Sequence, residues 1–117
     1  PPAVMAMAVA AIELIRREPE RREKLFNNCR RLKEGLRKLN FSVAEVDSPI
    51  VPLIIGDAEK TMRFSERLLE KGVFAQGIRP PTVPPGTSRL RITLMATHTE
   101  AHIDKALCAF KEIKETV

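Results

Sequence analysis

Three residues in one stretch have the types and the spacing to hold an anion. In QGIRPPTVPPGTSRLRITL (Gln76–Leu94), Arg79 stands just before a proline-rich loop, Thr82 sits inside it, and Arg89 and Arg91 follow on an alternating run. A guanidinium fork matches a carboxylate or phosphate bidentately and stays charged at any working pH. Pro80, Pro81, Pro84 and Pro85 fix φ along the loop, which lowers the entropic cost of holding a group in place. Alternation in SRLRITL puts Leu90, Ile92 and Leu94 on one face of a strand, and Arg89, Arg91 and Thr93 on the other. The strand stops at Ala96–Thr97, so its arginines lie near a sheet edge. The pattern suggests an anion site built from Arg79, Arg91 and the Thr82 hydroxyl. A strand with an ordinary solvent-facing row of arginines accounts for the same residues.

Other chemistries find less support. His98 and His102 are four apart, as two metal ligands on one helix face would be, but no third ligand is near and there is no HExxH; exposed histidines are the expected reading, with no metal. No Gly-rich phosphate loop and no Ser/His/Asp set can be argued. The lysines fall on charged faces of predicted helices, and none looks buried enough for Schiff-base chemistry. These residues alone do not make a complete enzyme, and no catalytic residue is assigned in the chain. Cys29 and Cys108 are far apart and lack CxxC spacing, which reads as two buried or half-buried thiols in a reducing compartment.

Composition narrows the partners. The 117 residues amount to about one domain, with an ordinary apolar fraction of 44%. There are five Phe, no Trp and no Tyr, which weakens a single-stranded nucleic-acid reading, because such binders stack bases on aromatic faces. The net charge is +5, and ten basic residues face four acidic ones between Arg16 and Lys38. A solvated helix face is the expected reading, with no nucleic acid; a basic-helix binding module is the alternative. A second alternative is a polyproline ligand, since Pro81-x-x-Pro84 fits PxxP, although Gly86 stands where a basic residue would be wanted. The apolar run Ala3–Ile15 is thirteen residues with Glu13 inside it, too short to span a bilayer. A soluble, cytoplasmic protein is expected.

The elements that must position the arginines follow from periodicity. A first helix over PPAVMAMAVAAIELIRREP is apolar nearly all round, so it should be buried on every side. A domain this small has little material to cover it, and the chain opens without Met directly onto that helix; a piece of something larger is expected. A second helix, Pro19–Leu39, carries one narrow stripe of Leu25, Cys29, Leu32, Leu36 and Leu39. SPIVPLIIGD is a buried strand that Pro52 argues to an edge. Asp57 caps a helix from Ala58 to Lys71, which Gly72 ends in a left-handed conformation. Val73–Ala75 and Arg89–Leu94 are strands, and Thr97-x-x-Glu100 is a capping box for a last helix, His98–Glu115. The fold class is α+β, with helices on one face of a small, largely antiparallel sheet.

RPPTVPPGTSRLRITL, with the turn ATHT and the helix HIDKALCAFKEI after it, resembles the C-terminal end of the α-oxoamine synthases. PPAV at a helix start, RREKL and SPIVPLIIGD fit the same family, so the likeness runs through the whole chain. These are pyridoxal-phosphate enzymes of the aspartate-aminotransferase fold (fold type I). The resemblance implies the family's small C-terminal domain over residues 19–117, preceded by an interdomain helix over residues 1–18. It also implies that a large N-terminal domain, with the Schiff-base lysine and the cofactor-binding residues, is missing from this chain. Pyridoxal phosphate would then belong to the full-length enzyme, a homodimer, and none would bind to this chain. Carried over by position, Arg91 matches the arginine that binds the amino-acid carboxylate. Arg79 matches the loop arginine near it, and Thr82 the loop threonine assigned to substrate binding.

The resemblance is strongest to the biotin-pathway branch, which joins alanine to pimeloyl-CoA or pimeloyl carrier protein with loss of CO2. The loop of the sister branch, glycine C-acetyltransferase, is usually less proline-rich. Pro85, where many relatives have alanine, and Met95-Ala96-Thr97 are mild departures that leave the arginines untouched. The apolar surface of Ala3–Ile15 is also expected to drive self-association of the chain. Sedimentation velocity should show a weight-average mass rising with concentration; a monomer throughout would refute this.

Overall fold

In the computed structural model, residues 1–116 are described. They form helix α1 (Pro2–Arg17), helix α2 (Glu20–Lys38), strand β1 (Ser42–Val43), strand β2 (Ile50–Gly56), helix α3 (Ala58–Glu70), strand β3 (Gln76–Ile78), strand β4 (Ser88–Thr93) and helix α4 (Glu100–Thr116). The sheet order is β1-β2-β4-β3 and every pairing is antiparallel. Helices α2, α3 and α4 cover one face, as the apolar patterns require. Val51, Leu53, Leu90, Ile92 and Leu94 meet Cys29, Leu32 and Leu36 of α2, Phe64 and Leu68 of α3, and Ile103, Phe110 and Ile113 of α4 in one core. Each fully buried leucine contributes about 1.5–3 kcal/mol. Phe41 packs edge-on against Phe64 and Phe110, with ring centroids 6.0 and 5.7 Å away.

Helix ends are set by local chemistry. Asp57 caps α3 by accepting from Lys60 N at 2.7 Å, as its residue type foretells. At the far end Gly72, at φ +81°, and the bond from Val73 N to Leu68 O (2.8 Å) complete a Schellman motif. Helix α2 ends in the same way on Asn40 at φ +63°, with Phe41 N donating to Leu36 O at 3.0 Å. That turn delivers Phe41 to the core.

Several expectations are corrected. Strand β2 is interior, because the two-residue β1, which carries no readable pattern, pairs beside it. Pro52 is tolerated because its carbonyl, and with it the missing N–H, faces the tapering β1 side, where Ala44 N bonds Pro52 O at 3.1 Å. Val73–Ala75 is not a strand; the Schellman turn ends on Val73, and pairing begins at Gln76. The last helix starts at Glu100, and its cap is Thr99 instead of Thr97. Thr99 Oγ1 accepts from His102 N at 3.2 Å while His102 Nδ1 accepts from Thr99 N at 3.1 Å, so a histidine fills the glutamate's place in the box. Cys108 is exposed, lying off the buried stripe of α4, whereas Cys29 is buried as expected. Every residue of α1 is exposed, including Met5 at 68% and Met7 at 70%; nothing in the described chain buries the helix whose composition asks for burial.

Two predictions arise from this packing. A Cβ on Gly35 would stand 2.4 Å from the Leu107 side chain, where α2 meets α4. Alanine is the better helix former by about 1 kcal/mol, but overpacking costs about 1–3 kcal/mol. Gly35→Ala should therefore lower the unfolding free energy by a net of about 1 kcal/mol, seen as a lower urea midpoint; a raised midpoint would show that Leu107 swings clear. Burial pushes the Cys29 thiol above its ordinary range, and the Lys33 ammonium draws it only part of the way back. The folded state holds that proton longer than the unfolded chain, so this contribution to stability is full below the ordinary thiol range and declines as pH rises through it. Iodoacetamide near neutral pH should label Cys108 and spare Cys29 until denaturant is added; equal labelling of both would contradict the buried position.

Candidate functional site

Strand β4 carries the arginines because it is paired on both edges and covered on one face only. Ser88, Leu90 and Ile92 are buried against the helices, while Arg91 and Thr93 are exposed and Arg89 is half-buried on the open face. The register builds this face in rows. Arg91 lies between Pro52 and Gln76, Arg89 between Ile54 and Ile78, and Thr93 opposite Ile50. Arg89 is partly committed, its Nε donating to Thr87 O at 3.1 Å. No acidic side chain forms an ion pair with Arg79, Arg89 or Arg91 among the described residues.

The loop between β3 and β4 is two linked turns. Thr82 N donates to Arg79 O at 3.1 Å across a cis Pro80–Pro81 peptide, so Arg79 and Thr82 are the two ends of one turn. Thr87 N then donates to Pro84 O at 3.2 Å, with Gly86 at φ +80° in the third position. This is the proline-then-glycine order a type II turn wants. Arg79 and Thr82 are both exposed at the mouth of the hairpin. Arg79 follows the last β3–β4 pair, three residues beyond the row that holds Arg91, or about 10 Å along the strand. No hydrogen bond joins Arg79, Thr82 and Arg91 to one another: Arg91 stands on the open face of the sheet, and Arg79 and Thr82 stand on the loop at its end.

Other residues drop out of the chemistry. His98 Nδ1 accepts from Met95 N at 3.0 Å and His102 caps α4, so both rings serve the β4–α4 turn. Among the described residues no group of three or more His, Cys, Asp or Glu could hold a metal ion. The basic run on α2 is partly spent on structure. Arg31 grips Asp104 of α4 at 3.0 and 3.1 Å, Arg37 pairs with Glu45, and Lys33 donates to Val46 O. Among the described residues no helix is long and apolar enough to cross a membrane. Every lysine lies on a helix or its cap, so none reaches the open face to hold an aldehyde cofactor, and these residues do not fit a pyridoxal-phosphate site.

Sequence reasoning missed two residues here. Gln76 stands directly across from Arg91, and no motif marks it. Asn28, buried on α2, donates to Met95 O at 3.1 Å and His98 O at 3.0 Å, tying α2 to the end of β4. A polar residue beside an apolar stripe was the available signal for Asn28. Only pairing register could have found Gln76.

A four-stranded antiparallel sheet with three helices on one face and arginines on the other is the architecture that the comparisons with known proteins address. The chain belongs to the family described as aminotransferase class I and II, whose model matches residues 1–110. It is 48% identical over 113 residues to the 8-amino-7-oxononanoate synthase of Symbiobacterium thermophilum, covering 97% of this chain and 29% of that protein. The chain therefore spans less than a third of the length of that relative. A solved structure of SPT with PLP superposes with a TM-score of 0.94 at 35% identity, over 99% of this chain and 30% of that one. The 8-amino-7-oxononanoate synthase structure from Francisella tularensis shares the fold, with a TM-score of 0.82 at 21% identity, over 99% and 34% of the two chains. The fold class read from the sequence, the C-terminal region of a fold-type I enzyme with helices on one face of an antiparallel sheet, is the one observed.

Proposed function

We propose that the chain is the C-terminal domain of an 8-amino-7-oxononanoate synthase, which condenses alanine with pimeloyl-CoA or pimeloyl carrier protein and releases CO2. The observation that carries this reading is the uncommitted Arg91 on the open face of a chain that matches a synthase of that name along 97% of its length. In this reading residues 19–117 are the small domain and residues 1–18 the interdomain helix. The exposed apolar residues of α1, together with Phe74 at 77% exposure, are the surface that a large N-terminal domain would cover. Pyridoxal phosphate and its lysine belong to that larger part, and SPT, a structural neighbour, carries PLP. The full-length protein is a cytoplasmic homodimer in this reading.

The chain's own residues then have defined tasks. Arg91 holds the alanine carboxylate through its fork, which turns the bond between Cα and the departing carboxylate into one fixed direction. Arg79 and Thr82 approach the same carboxylate from the loop, and their turn reduces the ordering needed on binding. None of the three takes or gives a proton; binding and orientation are their contribution.

The test is steady-state kinetics on the full-length protein with alanine and pimeloyl-CoA. Loss of a charge-assisted pair costs about 1.5–3 kcal/mol, so Arg91→Ala should raise the alanine KM or lower kcat/KM about 10- to 100-fold. The 117-residue chain alone should release no CoA. Turnover by the chain alone, or an Arg91→Ala protein with unchanged alanine kinetics, would refute the reading.

A further inference from the structure

The β3–β4 register puts Gln76 and Arg91 directly opposite each other, both exposed on the face the helices leave open. Direct cross-strand partners have Cβ atoms about 4.5–5.5 Å apart, so the amide and the guanidinium share the space above one row. The other flank of that row is Pro52, which has no side-chain donor or acceptor. The remaining open-face positions of the paired strands are Ser42, Ile50, Ile54, Ile78, Arg89 and Thr93. Gln76 is thus the one side-chain carbonyl among them, and none of them is an acid. Its chemistry suits the place. An amide can accept from a guanidinium N–H through its oxygen and donate to an anion through its NH2. A carboxylate there would occupy the fork itself, and an apolar residue would leave the fork free to swing.

We propose that Gln76 is a second substrate-binding residue of this site: with the carboxylate bound, its carbonyl accepts from the Arg91 guanidinium, a bond absent from the structure of the chain alone, and its NH2 donates to the carboxylate that Arg91 holds. The ligand class is an α-amino carboxylate. This rests on the reading of Arg91 given above, and the experiment separates the two. Gln76 is exposed, so its replacement removes no core packing.

In the full-length protein, Gln76→Ala should raise the alanine KM about tenfold, the lower end for a hydrogen bond to a charged group, with the pimeloyl-CoA KM within about twofold. Gln76→Glu should raise the alanine KM further, because the new carboxylate pairs with Arg91 and competes for the fork. In the Arg91→Ala background, Gln76→Ala should add less than it does alone, since the brace has lost its partner. A readout independent of turnover is the Arg91 Nε–H resonance of the labelled chain as sodium acetate is added. Its shift should saturate at higher acetate in Gln76→Ala than in the parent chain. Unchanged alanine KM in both Gln76 variants, with Arg91→Ala still impaired, would overturn the role of Gln76 and leave Arg91 standing. If Arg91→Ala also left alanine kinetics unchanged, both ideas would fall. Equal effects of Gln76→Ala on both substrates would reduce it to a structural residue and overturn the proposal.

Discussion

The structure depends on the alternation of β4. This strand pairs on both edges, buries Leu90 and Ile92 below the sheet, and presents Arg89 and Arg91 above it. Because the side-chain period is two, a slip of one residue would exchange the sets, placing two guanidiniums in the core and two aliphatic side chains in water. Removing an unpaired charge from water costs several kcal/mol, a large share of the stability of any domain this size. The register is therefore strongly determined, and it decides which neighbours each arginine has. Pro52 and Gln76 flank Arg91 for that reason alone.

Around this strand, each connection delivers a residue to a defined place. The Schellman turn at Asn40 drops Phe41 between Phe64 and Phe110, and the one at Gly72 returns the chain to β3 at the register that meets Arg91. Asn28 fixes the far end of β4 by holding two carbonyls of the turn into α4, while the Arg31–Asp104 pair joins the helices outside it. The proline loop closes the other end with two hydrogen-bonded turns. Both ends of β4 are thus held, while the Arg91 side chain makes no hydrogen bond or ion pair within the described chain.

Helix α1 follows different physics. Its sixteen residues bury no side chain against the rest of the described chain, and an isolated helix of that length is only marginally stable in water. Its alanines and methionines supply propensity, and the missing stabilisation must come from a surface that covers it. In the reading proposed above, that surface is the large domain. The family relationship, in which this chain spans 29% of a relative's length, is consistent with it.

Much of this was legible in the chain itself. The stripe of α2, the Asp57 cap, the Gly72 terminator and the two faces of β4 all follow from short-range spacing, because each depends on neighbours within a few residues. The anion-binding types, Arg79, Thr82 and Arg91, were visible for the same reason. Tertiary structure decided the rest. Strand β1 is two residues long and exists only because β2 offers it an edge; that pairing made β2 interior despite Pro52. The cap of α4 moved to Thr99 because a histidine side chain could answer its backbone N–H, a partnership no standard box encodes. Gln76 came to lie beside Arg91 through a pairing fifteen residues apart in sequence, whose register was set by the burial of Leu90. Local chemistry determined which groups the protein has to offer, and long-range pairing determined which of them stand together.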